Sequence, residues 1–421
     1  MKNSIARKLR QVPEGYGVVG VDPHKRRHAA VVMTQDFVVR SRFKFDNSRE
    51  GFEKMLQRVK AEMARAGWRG LMFGLETGGH YWRNLAYFLD ERGIPFRLIS
   101  QFTLKRRREG KDLNRRKNDF HDAEVAAQLL STGEFTDTRL PYDVYAELRA
   151  AYSAYRRLVK ESGRLINLLK GLLDGLFPEF TQVFKNPAGK TAMSVLSCCP
   201  VPGVIAQMGE DDFIRIIRAN HQGRLMREKL RHLHRLAQAS IGIKEGTEAV
   251  SLEVSLVAER LSLTQRQIER LIKLMIRLVD ATEEGPHLLS IPGVGYITVA
   301  GMLGELGSFK NYQNAKQLIK MAGSNPTEAE SGGKRSKRTP MSKKGRPGLR
   351  YCGWIGVIPL LRHNMEFRAW ARRLKERPVH AHPLKPREII GAAVNKLLRL
   401  SFALVKKKAF YQMPKLAEVA G

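Results

Sequence analysis

Cysteine is scarce in this sequence: Cys198, Cys199 and Cys352 are the only three in 421 residues. The adjacent pair lacks the CxxC spacing of a zinc ligand pair, and no histidine cluster completes such a site. All three are expected to be reduced, small apolar residues, which excludes a disulfide scaffold. Long apolar runs are also missing, none reaching the ~18 residues that cross a bilayer. The N-terminal MKNSIARKLRQVPEG is basic but has no apolar stretch of the kind that leads a chain into secretion. A cytoplasmic protein with no membrane partner is the expectation. The scarcest property is negative charge. Acidic residues number 41 against 74 lysines and arginines, a net charge of +33. A one-signed excess of that size repels itself unless a polyanion neutralises it, and nucleic acid gains counterion-release energy in doing so.

Hydrophobic residues make up 43% of the chain, enough for an ordinary core, and at ~150 residues per domain the length suits two or three domains. A basic extension covers 1–15. From residue 16, YGVVGVD, HAAVVM and VVRSRFKF read as three short strands. Ser48 and Glu50 then open a helix with Phe52, Met55, Leu56, Val59 and Met63 on one face. LMFGLE is a fourth strand, HYWRNLAYFLDERG a helix and PFRLIS a fifth strand. A basic stretch from Lys105 to Lys117 leads into the helix DFHDAEVAAQLLSTG. The order βββ-α-β-α-β-α over 16–140 suggests an α/β RNase H-like domain.

From Pro141 the pattern becomes helical. AELRAAYSAYRRLVKESGRLINLLKGLLDGLF predicts one long helix stopped by Pro178, and shorter helices are expected over 185–250. Val257, Leu261, Thr264, Ile268, Leu271, Met275 and Leu278 follow in steps of four and three. This seam fits either a coiled coil for assembly or a hairpin with the earlier long helix. The region 141–285 is therefore a helical segment, and 286–412 a mainly α C-terminal domain followed by a tail, 413–421. Gly293 and Gly295 form a tight turn that either presents backbone N–H groups to a phosphate or only joins two helices.

Four acids occupy telling positions. Asp22 closes the first strand and Glu76 the fourth, and these strands are neighbours in an RNase H-like sheet. Asp119 and Asp122, three apart, share one helical face. Carboxylates gathered this way repel each other unless cations join them. Hard oxygen ligands suit Mg2+ or Mn2+, and two ions ~4 Å apart serve phosphoryl transfer. His28 is open between supporting such a site and packing as a core histidine. Far downstream, Ser331 precedes Gly332 and Gly333, and eight basic residues follow: Lys334, Arg335, Lys337, Arg338, Lys343, Lys344, Arg346 and Arg350. With Lys105, Arg106, Arg107, Arg115, Arg116 and Lys117 they are candidate phosphate contacts. On residue chemistry alone, Ser331 reads as a loop hydroxyl, because no base stands nearby to activate it.

Together, GVDPHKRRHAAVV, FGLETGGHYW, KNDFHDAEVAAQLL, LLSIPGVGYITVAGMLGELGSFKNYQNAKQLIKMAGSNP, ESGG and SKKGRPGLR resemble the DEDD transposases of the one-ten insertion-sequence family. These join a RuvC-like domain to a transposase-20-type domain and are described as bridge-RNA-guided recombinases. The resemblance covers most of 16–412. It implies that Asp22, Glu76, Asp119 and Asp122 are metal ligands and that Ser331 is a nucleophile forming a phosphoserine link to DNA. It further implies that the two meet across subunits of a dimer or tetramer, and that an element-encoded guide RNA pairs with donor and target DNA. Two other readings compete: a RuvC-like, metal-dependent nuclease in which Ser331 is idle, and a basic nucleic-acid-packaging protein in which the acids are idle.

Overall fold

Alternation along the first strands decides the architecture of the N-terminal part. The computed structural model describes residues 11–110, 118–136, 140–327, 330–331, 334–335, 340–378 and 383–413. The chain divides into two compact units, one ending at Leu140 and the other beginning at Pro141. In the first, β1 (Tyr16–Asp22), β2 (Arg27–Met33), β3 (Val39–Asp46), α1 (Arg49–Ala66), β4 (Gly70–Glu76), α2 (Trp82–Glu91), β5 (Phe96–Ile99), α3 (Gln101–Glu109) and α4 (Asp119–Ser131) follow in turn. The five strands form a mixed sheet in the order β3-β2-β1-β4-β5. β1 is antiparallel to β2 and parallel to β4, with Val21 opposite Leu75, so Asp22 and Glu76 end side by side.

The two faces of the sheet differ. Val19, Val21, Phe73 and Leu75 face α1 and α2, where Phe52, Met55, Leu56, Leu85 and Leu89 complete a core. Val18 and Met72 face α4, packing on Val125, Ala126, Leu129 and Leu130. Period-two alternation therefore puts Gly20 and Asp22, and likewise Gly74 and Glu76, on the α4 side. Gly20 and Gly74 are direct cross-strand partners, and both are needed there. A Cβ on Gly20 would stand 1.9 Å from the Ala123 carbonyl oxygen, and one on Gly74 3.1 Å from that of Ala126. The helix thus lies on bare backbone. Only α3 departs from expectation. Its run TLKRRRE reads as charge, but Leu, Lys, Arg and Glu are all strong helix formers, and buried Leu104 anchors it.

The second unit is built on two helices of 34 residues each, α5 (Asp143–Leu176) and α11 (Thr247–Asp280), each about 50 Å long. Between them come α6 (Phe180–Val183), α7 (Lys190–Cys198), α8 (Pro202–Gln207), α9 (Glu210–Ala219) and α10 (Arg227–Gln238). After them come α12 (Gly285–Leu289), α13 (Tyr296–Leu306), α14 (Ala315–Ala322), the short strands β6 (Glu330–Ser331) and β7 (Lys334–Arg335), α15 (Pro347–His363), α16 (Met365–Lys375) and α17 (Pro386–Lys407).

The long pair runs antiparallel. Leu165, Leu169 and Leu173 share a core with Val254, Val257 and Leu261, while Leu148 and Tyr152 share another with Met275 and Val279. The α11 seam is therefore filled from within the chain, as a hairpin. One core gathers α6–α10 around Phe177, Phe180 and Phe213. The other gathers α12–α17 around Leu303, Phe309 and Leu360. The FPEF stretch stops α5 and secures a loop, because Glu179 accepts hydrogen bonds from the Ser240 hydroxyl (2.7 Å) and the Ile241 amide (3.1 Å). Gly293 (φ +92°) packs directly on the backbone of Pro359 and Leu360, so both its left-handed backbone and the close approach call for glycine.

Gly20→Ala is expected to destabilise the first unit by about 3 kcal/mol or more, as an overpacked contact that only helix displacement relieves. Gly163→Ala, in the open middle of α5 with nothing within 4 Å of the new methyl, should instead stabilise by about 0.5–1 kcal/mol. Urea denaturation of the two variants beside the parent checks both signs.

Candidate metal centre

At the carboxyl ends of β1 and β4 the sheet stops and α4 begins. Asn118 caps α4 by accepting the Phe120 amide at 3.1 Å. Asp119 and Asp122 occupy the first turn, where the positive end of the helix dipole favours carboxylates. Asp22, Glu76 and Asp122 are all buried, and one oxygen from each lies within 4.8 Å of the others. A second set, Asp22, His24 and Asp119, meets the same distance. Asp22 belongs to both. The four acids singled out in the sequence therefore converge within the first unit.

Burial without enough counter-charge shows in the proton affinities. Burial raises the Asp22 carboxyl above its ordinary value, although its hydrogen bond with Glu76 and the nearby His24 lower it in part. Glu76 is pushed up to about 8, by burial first and then by the charges of Asp22 and Asp122. In metal-free protein near neutral pH this set therefore holds a proton. A divalent cation among these oxygens removes the need for it, and so the residues present fit such a group. Partial compensation comes from three neighbours. Arg108 Nη1 donates to both oxygens of Asp122 at 2.9 Å. Lys44 Nζ donates to Asp119 Oδ2 at 2.7 Å. His24 Nε2 lies 3.0 Å from Asp22 Oδ2 and 3.4 Å from Asp119 Oδ1.

None of these three neighbours stands out in the sequence. Arg108 sits in a run of four basic residues, and only the phase of α3 selects it. His24 follows Asp22 by two, a proximity that could have flagged it. His28 takes the structural alternative. It is fully buried on the opposite face of the sheet, stacked on Phe52 and edge-on to Phe45. Burial pushes it down to about 4, and its Nδ1 accepts the His24 amide at 3.0 Å.

The basic candidates divide by use. Lys105 and Arg106 are exposed on α3, and Lys343 and Lys344 are exposed ahead of α15. Arg107 pairs with Glu134 at 3.4 Å. Arg346 donates to the Glu305 carbonyl, and Arg350 to those of Ala322, Lys343 and Gly345, so these two brace the chain entering α15. Arg115, Arg116, Lys117, Lys337 and Arg338 lie outside the described residues, as do the side chains of Ser331, Lys334 and Arg335. The backbone of Ser331 pairs with that of Lys334 between β6 and β7. Nearby, buried Ser324 donates to Asn395 Oδ1 at 2.5 Å and accepts the Asn395 amide on its carbonyl at 3.1 Å, tying this loop to α17.

A family model for DEDD transposases of the IS110 type, described as "Transposase", matches residues 19–178. A second, described as "Transposase IS116/IS110/IS902 family", matches residues 285–372. Together they cover more than half of the chain and include every residue discussed above at the acidic centre. The chain belongs to this transposase family. Among its relatives is the mini-circle putative transposase for IS117 of Streptomyces coelicolor, 22% identical over 85% of this chain and 87% of that protein. The insertion element IS110 uncharacterized 43.6 kDa protein of the same organism is 25% identical, over 51% of this chain and 54% of its own. The pilin gene-inverting protein of Moraxella bovis is 28% identical over 39% of this chain and 52% of its own. The chain thus spans about half the length of these last two relatives. No helix among the described residues is long and apolar enough to cross a membrane.

A pH dependence follows from the raised Glu76. Between about 4.5 and 8 the folded protein binds a proton there that the unfolded chain releases, so this group's contribution is full below pH 4.5 and is lost as pH rises through 8. With chelator present, Glu76→Gln should match the parent at pH 5 and exceed its stability at pH 8.5 by up to about 4 kcal/mol. Added Mg2+ should narrow that gap by stabilising the parent more than the variant. Denaturation midpoints of parent and variant at the two pH values test both statements.

Proposed function

We propose that this transposase is the recombinase of a mobile DNA element, cutting and rejoining DNA by phosphoryl transfer. The observation that carries the reading is the pair of ligand sets sharing Asp22, mounted where two parallel strands meet a helix N-terminus. The mixed strand order and this placement are read as an RNase H-like, RuvC-like core. Asp22, Glu76, Asp119 and Asp122 would hold two divalent ions, Mg2+ or Mn2+. Such ions stabilise the attacking and the leaving oxygen of an in-line displacement.

Ser331 is the proposed nucleophile. Its Oγ gives up a proton and bonds to a DNA phosphorus while the bond from that phosphorus to a sugar oxygen breaks, and the released oxygen takes a proton. The phosphoserine keeps the energy of the broken link. Attack by a sugar hydroxyl of the new strand then restores a phosphodiester and returns the serine hydroxyl. Exposed Lys105, Arg106, Lys343 and Lys344 are suited to hold backbone phosphates, leaving sequence choice to base pairing with an element-encoded guide RNA. Assembly of copies has support on α11, where Leu252, Leu256 and Leu263 are all about half exposed or more on one helical side. The name of the Moraxella bovis relative adds that recombination joined to DNA inversion lies within reach of this architecture.

A second reading rests on one observation: the acidic centre is complete within the first unit. Such a centre suffices for a hydrolytic nuclease without Ser331. Incubation with element-end DNA, guide RNA and Mg2+, followed by denaturing electrophoresis, separates the two. The recombinase forms a protein–DNA adduct and a rejoined product, and Ser331→Ala and Asp22→Asn each lose both by about three orders of magnitude or more. Full cleavage by Ser331→Ala would decide for the nuclease.

A further inference from the structure

Resting on the reading of the acids as ion-holding groups, we propose that His24 is a nitrogen ligand that makes the two cation sites chemically unlike, biasing one toward a transition ion such as Mn2+ over Mg2+. One set, Asp22, Glu76 and Asp122, offers oxygen alone. The other, Asp22, His24 and Asp119, offers two oxygens and an imidazole.

The distances suit a shared ion. Ligand atoms held about 2.1 Å from an octahedral cation stand about 3 Å apart. Nε2 of His24 is 3.0 Å from Asp22 Oδ2 and 3.4 Å from Asp119 Oδ1, so little rotation is needed to admit a cation between them. The surroundings fix the geometry from both sides. Asp119 gives its Oδ2 to Lys44, which turns Oδ1 toward His24. The His24 backbone is pinned by its amide hydrogen bond to the buried His28 ring. The imidazole itself is half exposed and supports no core, so its position is not a demand of packing.

Chemistry assigns the consequence. Mg2+ is hard and accepts oxygen in preference to nitrogen, whereas affinity for an imidazole-bearing site rises on entering the transition series. Each set has one cation on a carboxylate, Arg108 on Asp122 and Lys44 on Asp119, but the all-oxygen set has three carboxylates against two. The two sites therefore differ in both ligand softness and net charge, and the His24 side is the one that discriminates between metals.

The test uses the full chain, stripped by chelation and titrated with Mn2+ while the free-ion paramagnetic resonance signal is followed, with and without excess Mg2+. The parent should take two ions, one displaced readily by Mg2+ and one retained. His24→Ala should lose the retained ion, its affinity falling roughly tenfold or more. His24→Asp should still bind two, both displaced by Mg2+. Glu76→Gln should lose the readily displaced ion and keep the other. Identical stoichiometry and Mg2+ competition in the parent and His24→Ala would overturn the proposal while leaving the acidic centre intact. No Mn2+ binding by the parent, or binding unchanged in Asp22→Asn and Glu76→Gln alike, would overturn both.

Discussion

The contact between α4 and the bare backbone of β1 and β4 is the constraint on which the acidic centre depends. A side chain at Gly20 would collide with the helix backbone and one at Gly74 would crowd it, pushing α4, and with it Asp119 and Asp122, away from the strand ends. With glycine, the Ala123 carbonyl sits where a Cβ would have been, and alanines at 123, 126 and 127 keep the helix side of the contact equally thin. The same closeness removes water from Asp22, Glu76 and Asp122. Steric economy two residues before each strand end therefore creates the electrostatic problem at the end itself.

That problem is answered unevenly, and the unevenness is informative. A protein that wanted only a stable fold would pair each buried acid with a base, or replace it. Here one guanidinium serves Asp122 and one lysine serves the more exposed Asp119, while Asp22 and Glu76 chiefly face each other. An uncompensated buried charge is costly, and even a fully paired buried ion pair can often be replaced by apolar groups of similar size at little cost. Acids kept under these conditions point to a cation that is bound when the protein works. His24 fits the same logic from the positive side, lying between two carboxylates at ligand spacing.

Much of this was legible in the residues. Strand alternation and strand ends place Asp22 and Glu76, and a three-residue step places Asp119 and Asp122 on one helix face; both are local rules. The long helices and the Pro178 stop are local too. Harder to read was anything that depended on direction across a turn. His28 belongs to β2, and alternation sends it to the α1 side among phenylalanines, whereas His24 lies in the connecting turn and can swing back to the acids. Arg108 and its basic neighbours look alike until the buried Leu104 sets the rotation of α3. The seam on α11 satisfied two folds equally, because a heptad pattern records that a partner helix exists without saying which chain supplies it.

The second unit obeys a different economy. Its loop ahead of α15 has few apolar residues, and what holds it is polar: Arg350 on three carbonyls, Arg346 on a fourth, and Ser324 locked to Asn395 of α17. Each arginine held on backbone is one fewer for phosphate, while Lys343 and Lys344 stay exposed ahead of α15. These bonds hold the chain on either side of the β6–β7 pair, whose strands are only two residues long. Glu330 directly precedes Ser331 in sequence, while the basic residues that follow can attract a phosphate but not activate the hydroxyl. For the serine chemistry proposed above, a metal held by carboxylates is a source of activation that needs no base in the loop itself.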